Sequence, residues 1–224
     1  MRLRRLQSLL LAAFALAGPS ALRAASPQGT PPRTLRVDYF HTGNAREERF
    51  ALERVVVEPL PWPGDLAKTI DDTNLGKYRF EVIDRSTHRV LYSRGFASIY
   101  GEWETTGEAT EIDRTFSESL RFPRPAGPVQ VVISKRDKAN DFRESWSLVV
   151  DPADMLVDAS RPPSAGELLA LQRSGDPADK LDFLILGDGY TAAERGKCES
   201  DARRLMAILF ATEPFQSRRT DLNV

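Results

Sequence analysis

Tyr78-Arg79-Phe80-Glu81-Val82-Ile83-Asp84-Arg85-Ser86-Thr87-His88-Arg89-Val90-Leu91-Tyr92 (residues 78–92) reads as two short apolar runs around a polar turn. Aromatic and β-branched residues at alternate positions suit one face of a pleated strand, because successive side chains point to opposite sides. Asp84-Arg85-Ser86-Thr87 supplies the turn, so the stretch predicts an antiparallel hairpin.

The same period continues outward. Upstream, Leu35, Val37 and Tyr39 alternate with Arg36 and Asp38, and Val55-Val56-Val57 follows. Downstream come Gly95 to Tyr100, Phe116 to Phe122, Val129 to Ile133 and Trp146 to Val150. About eight short segments separated by Gly, Pro, Asp and Asn predict an antiparallel β-sandwich over residues 34–156. Trp62, Trp103, Trp146, Phe80, Phe96 and Phe116 are its expected large core members.

Beyond it the pattern changes. Residues 157–180 carry Arg161-Pro162-Pro163 and Gly175-Asp176-Pro177 and read as a linker, with two helical turns expected from Ala165 to Gln172. Leu181 to Leu186 then reads as a buried strand, Gly187-Asp188-Gly189 as a tight turn, and Thr191 with Glu194 as a capping box opening a helix. Cys198, Ala202, Leu205, Met206, Leu209 and Phe210 share one stripe of that helix, which makes Cys198 a small core residue rather than a nucleophile. Pro214 ends the helix, and Asp221 to Val224 reads as the start of a second strand. The expected class is therefore mainly β, a sandwich followed by an incomplete α/β segment of one strand and one long helix over 181–224. An α/β domain that opens so near Val224 suggests the front part of a longer protein.

At the other end, Arg2, Arg4 and Arg5 precede the apolar run Leu9 to Ala17, with small residues at Ala24 and Ala25. Residues 1–24 read as a secretory signal, too short to anchor in a bilayer, and 25–33 as a proline-rich tether. The expected location is exported, periplasmic or secreted, with membrane contact only during export. The 224 residues are 41% apolar and 28% charged with a formal charge of −1, a globular composition. Cleavage after Ala24 removes Arg2, Arg4, Arg5 and Arg23 but no acid, so the mature chain is acidic and nucleic acid is a poor partner. A single cysteine excludes an internal disulfide.

Few residues suggest chemistry. Catalytic zinc takes three protein ligands, but only His41 and His88 are present and no H-E-x-x-H, so both read as surface histidines. Asp71, Asp72 and Asn74, or Glu102, Glu104 and Glu108, lack the spacing of a calcium loop and read as solvated turns. Gly187-Asp188-Gly189-Tyr190-Thr191-Ala192 matches G-x-G-x-x-A, a dinucleotide fingerprint. Asp188 would place a carboxylate beside the pyrophosphate, which argues against it.

Longer blocks carry a resemblance. Asp38-Tyr39-Phe40-His41-Thr42-Gly43, Leu60-Pro61-Trp62-Pro63-Gly64, Ile70-Asp71-Asp72-Thr73-Asn74-Leu75-Gly76, Tyr92-Ser93-Arg94-Gly95-Phe96, Gly101-Glu102-Trp103-Glu104-Thr105-Thr106 and Ser117 to Pro123 are similar to the N-terminal domain of the IgA peptidase family of zinc metallopeptidases. Leu184 to Thr191 resembles the opening of its peptidase domain. The resemblance implies peptide-bond hydrolysis with zinc held by H-E-x-x-H and a further ligand. None of those ligands lies in these residues, so no catalytic, metal or cofactor position is assigned, and the chain alone is expected to be inactive. A protein or peptide substrate is expected only with the catalytic domain. The alternative is a stand-alone exported β-sandwich that binds protein or glycan through an exposed Trp62 or Trp103.

Overall fold

The computed structural model describes residues 31–163 and 166–224. The expected signal peptide and most of the tether lie outside the described residues. Seven antiparallel strands form two sheets: β1 (Arg33–Gly43), β2 (Glu48–Pro61), β3 (Tyr78–Asp84), β4 (Val90–Phe96), β5 (Arg114–Pro123), β6 (Val129–Arg136) and β7 (Phe142–Val150). One sheet runs β2-β1-β5 and the other β4-β3-β6-β7. Leu35, Val37 and Tyr39 of the first sheet and Tyr78, Phe80, Val82, Val131 and Ile133 of the second belong to one buried cluster, which makes the pair a sandwich. Each large side chain so buried stabilises the fold by about 1.5–3 kcal/mol.

The 78–92 hairpin forms as predicted. The Asp84 carboxylate accepts hydrogen bonds from the Ser86 and Thr87 amides at 2.9 and 2.7 Å, fixing the turn, and His88 sits there at φ 58°.

Three expectations are corrected. Of the six expected large core members Phe80 is buried, and Trp62, Phe96 and Trp146 are half-buried but pack against the core cluster; Trp103 and Phe116 are half-buried and lie outside it. Trp146 lies on an edge strand, Trp62 just past β2 and Trp103 on a surface helix, where one flank of the ring stays open. The deepest large side chains are Tyr39, Tyr78, Tyr100 and Phe122. Secondly, Gly95 to Tyr100 is not a continuous strand. Gly95 and Phe96 end β4, and the Ser98 hydroxyl accepts from the Gly101 amide at 2.9 Å, turning the chain into α1 (Ile99–Trp103). Thirdly, the described part of the expected helix before Gln172 is not helical. Its backbone is drawn into an extended pairing instead: Leu171 N donates to Val224 O at 2.8 Å, and Val224 N donates to Gln172 O at 2.9 Å.

The C-terminal segment has its own small core, Met206, Phe210 and Leu222, with Leu171, Ile185, Leu209 and Val224 packed on it. β8 (Leu181–Asp182) and β9 (Leu222–Asn223) pair in parallel, and α2 (Arg195–Leu209) covers them through Met206. The expected strand through Leu186 is cut short. After Phe183 N reaches Asn223 O the ladder stops, and Leu184 and Leu186 are 67% and 80% exposed. Leu205, expected on the buried stripe, is exposed as well, whereas Met206 and Phe210 face inward.

Segment 157–180, read as a linker, is fastened near both ends. Asp158 N and O bond Val55 O and Val57 N of β2 at 2.9 and 2.8 Å. At the far end, the Ser174 amide donates to Asn223 Oδ1 at 2.8 Å.

Candidate functional site

Alternation on β1 continues one step past Tyr39 and carries His41 into the interior, where it is 1% exposed. This corrects its reading as a surface residue. The register brings a carboxylate to each side of its ring. Glu118 of β5 lies opposite Tyr39, and Glu48 of β2 lies opposite Gly43. His41 Nδ1 is 3.2 Å from Glu118 Oε2, and Nε2 is 3.1 Å from Glu48 Oε2. The ring is stacked between Tyr100 at 3.9 Å and Phe50 at 4.2 Å, with Tyr78 edge-on at 5.6 Å.

Both ring nitrogens can donate to their ionised carboxylates only in the imidazolium, which alone has two N–H groups. Burial on its own would lower the His41 pKa, but the hydrogen bonds and charges of Glu118 and Glu48 outweigh it and leave it raised. Burial likewise opposes ionisation of Glu48, yet hydrogen bonds from His41, Lys135 and Tyr78 pull its pKa down to about 2. Glu48 Oε2 accepts from Tyr78 Oη at 2.8 Å and from Lys135 Nζ at 3.0 Å. Lys135 also reaches Glu104 Oε2 at 2.9 Å, and Lys77 pairs with Glu104 and donates to Gly101 O at 2.9 Å. Glu118 Oε2 accepts from Tyr39 Oη at 2.9 Å. His41, Lys77 and Lys135 thus balance Glu48, Glu104 and Glu118, so the enclosed cluster carries no net charge while His41 is protonated. Burial, reinforced by the neighbouring glutamates, raises the pKa of Tyr39 and Tyr78, so both remain hydrogen-bond donors.

Such a cluster holds strands together; it does not present a reactive group. The two nitrogens of His41 point to opposite sides, each toward a different carboxylate. Among the described residues no group of three or more His, Cys, Asp or Glu is placed to hold a metal ion. The described residues therefore do not fit the zinc that the resemblance implies.

The other candidates fall into structural roles. His88 is exposed in its hairpin turn. Asp71 accepts from the Gly95 amide at 2.6 Å and the Thr73 amide at 2.9 Å, and the Ser93 hydroxyl accepts from the Asp71 amide at 2.9 Å. Loop 70–76 is in this way clamped onto β4. Glu108 pairs with Arg114 and accepts from Trp103 Nε1 at 2.7 Å. Cys198 is half-buried against Gly187, where a Cβ would come within 2.8 Å of its Sγ. At the glycine turn, the Thr191 amide is taken by Glu194 Oε2 at 3.0 Å, and α2 begins only at Arg195. An internal carboxylate thus takes the amide of Thr191 in the capping box.

The sequence did hold a signal for His41. The period-two rule that buries Leu35, Val37 and Tyr39 also buries His41, and Glu118, two residues before Leu120, lies on the matching face of β5.

The described chain is a β-sandwich pinned by an internal ion cluster, followed by a small parallel β-pair under one helix. The model described as Peptidase M64 N-terminus matches residues 28–147, and the one described as IgA Peptidase M64 matches residues 169–224. The chain belongs to the IgA peptidase family, of which it carries the N-terminal region. A comparison with curated proteins finds no match. Three of the blocks that resemble the family meet at the ion cluster: 38–43 brings Tyr39 and His41, 101–106 brings Gly101 and Glu104, and 117–123 brings Glu118.

Proposed function

We propose that the sandwich is the accessory domain of an exported zinc-dependent peptidase, and that residues 181–224 open the peptidase domain behind it. The observation that carries this reading is the order of the two family matches, 28–147 and then 169–224, on two separately packed cores. The sandwich supplies a rigid body on which the peptidase part is held, through a segment fastened to β2 at Asp158 and to β9 at Ser174. Cleavage of protein or peptide substrates needs zinc ligands beyond those of this sequence, so the chain by itself is inactive. Export rests on the basic and apolar pattern of residues 1–24. No helix among the described residues is long and apolar enough to cross a membrane.

Metal analysis and a casein or immunoglobulin cleavage assay test the reading, on the 25–224 chain beside one extended through an H-E-x-x-H motif. Zinc and cleavage are expected to appear together in the extended chain alone. Stoichiometric zinc with chelator-sensitive cleavage by the 25–224 chain would overturn it. N-terminal sequencing of the exported product is expected to begin at Ala25.

A further inference from the structure

We propose that His41 is a proton-operated latch, which as an imidazolium ties β2 to β5 across β1 and holds α1 over that end of the sandwich, and which releases the end when it loses its proton. The inference uses the sandwich alone and stands whether or not the peptidase reading does.

The geometry carries it. With both nitrogens 3.1–3.2 Å from carboxylate oxygens, removing either proton leaves a lone pair facing an anion inside the core. The ring cannot swing away, because Tyr100 and Phe50 clamp its two faces. One tie, to Glu48 or to Glu118, must therefore break. Every charged or titratable group around the ring acts on the same equilibrium. Tyr39 of β1 and Glu118 of β5 lie on one side; Glu48 of β2, Tyr78 of β3 and Lys135 of β6 lie on the other. Above the ring are Tyr100 of α1 and its C-cap Glu104, with Lys77 beside Glu104. When His41 is neutral the cluster has lost one of the positive charges that face Glu48 and Glu118.

The part released is defined by what rests on the ring. The Tyr100 hydroxyl reaches Asn44 O at 2.8 Å and Glu47 O at 2.9 Å, closing the β1–β2 turn over His41. The approach is close: a Cβ at Gly43 would lie 2.7 Å from that hydroxyl. Loosening His41 frees the β1–β2 turn and α1 together. A histidine held protonated in the closed state and free to titrate in the open state makes opening easier as pH rises above about 6.5, by up to roughly tenfold per pH unit.

The test is hydrogen exchange on the whole chain between pH 6 and 9, corrected for intrinsic rates. Protection in segments 43–50 and 98–106 is expected to fall with pH, while α2, packed in the separate core, does not follow. His41→Gln should remove this pH dependence and His88→Gln should keep it. Nitrogen NMR of the imidazoles decides the matter even if His41→Gln does not fold. At pH 7.5 His41 should carry two protons. A His41 with one proton at that pH, or protection in both segments that is flat from pH 6 to 9, overturns the proposal.

Discussion

Glu48→Gln is the sharpest probe of the ion cluster, since it keeps the shape of the side chain and removes only its charge. Oε2 of Glu48 accepts from three donors, His41 Nε2, Tyr78 Oη and Lys135 Nζ, at 3.1, 2.8 and 3.0 Å. Two of them are cations, and a neutral amide leaves them facing a weaker acceptor. The fall of the Glu48 pKa from 4.5 to about 2 corresponds to about 3 kcal/mol of preference for the charged form in the folded state. Removing one partner of a buried ion pair costs about 3–5 kcal/mol, which agrees in size. Glu48→Gln is therefore expected to lose about 3 kcal/mol at pH 7. The sign of the pH effect follows from a depressed carboxylate: its contribution is complete above pH 4.5 and is lost as pH falls towards about 2. The acid limb of the parent should flatten in Glu48→Gln without vanishing, because Glu118 and Asp38 are also held below their ordinary values. Urea unfolding followed by tryptophan fluorescence reads this directly, since Trp62, Trp103 and Trp146 all lie in the sandwich. A loss below about 1 kcal/mol at pH 7, or an acid limb identical to the parent's, would refute the reasoning.

Gly95→Ala should destabilise the sandwich by about 1–3 kcal/mol, because its Cβ would lie 2.0 Å from Leu75 O in the clamp of loop 70–76. Gly107→Ala is the control: its added Cβ meets nothing within 4 Å, its φ is −60°, and its unfolding midpoint should not fall. Limited proteolysis with an unspecific protease should cut first within residues 159–163, past the attachment at Asp158. First cuts inside β1 to β7 would show that the sandwich is not the firmer part.

The sandwich was legible because strand period and turn chemistry act locally. Leu35, Val37 and Tyr39 declare a face, and Asp84 to Thr87 declare a turn, without help from distant residues. What escaped depends on pairing across the chain. The first half of β2, Glu48 to Arg54, shows no alternating apolar pattern and is a strand because β1 lies against it. β8 is two residues long because β9 offers only Leu222 and Asn223 as partners, a fact no propensity at Leu184 or Ile185 can reveal. Tyrosine outranks tryptophan in the core for a similar reason. Tyr39 and Tyr78 can be buried whole because Glu118 and Glu48, far off in sequence, receive their hydroxyls.

His41 marks the boundary between the two kinds of information. Its inward direction was written in the period of β1, but its charge was not. Its raised pKa comes from Glu118 and Glu48, which arrive on different strands, and their approach is fixed by register rather than by local sequence. A histidine two residues past a buried tyrosine could equally have been neutral with one polar neighbour. The same reasoning accounts for the blocks that make the chain resemble a peptidase family. Segments 70–76 and 92–96 meet in the Asp71 clamp, and segments 38–43, 101–106 and 117–123 meet around His41. These unusual residue combinations satisfy buried polar groups that only this arrangement of strands creates, so their specificity is a property of the scaffold. A charge placed wrongly in either meeting point would strand a buried partner, which is costlier than the loss of any single apolar contact on the surface.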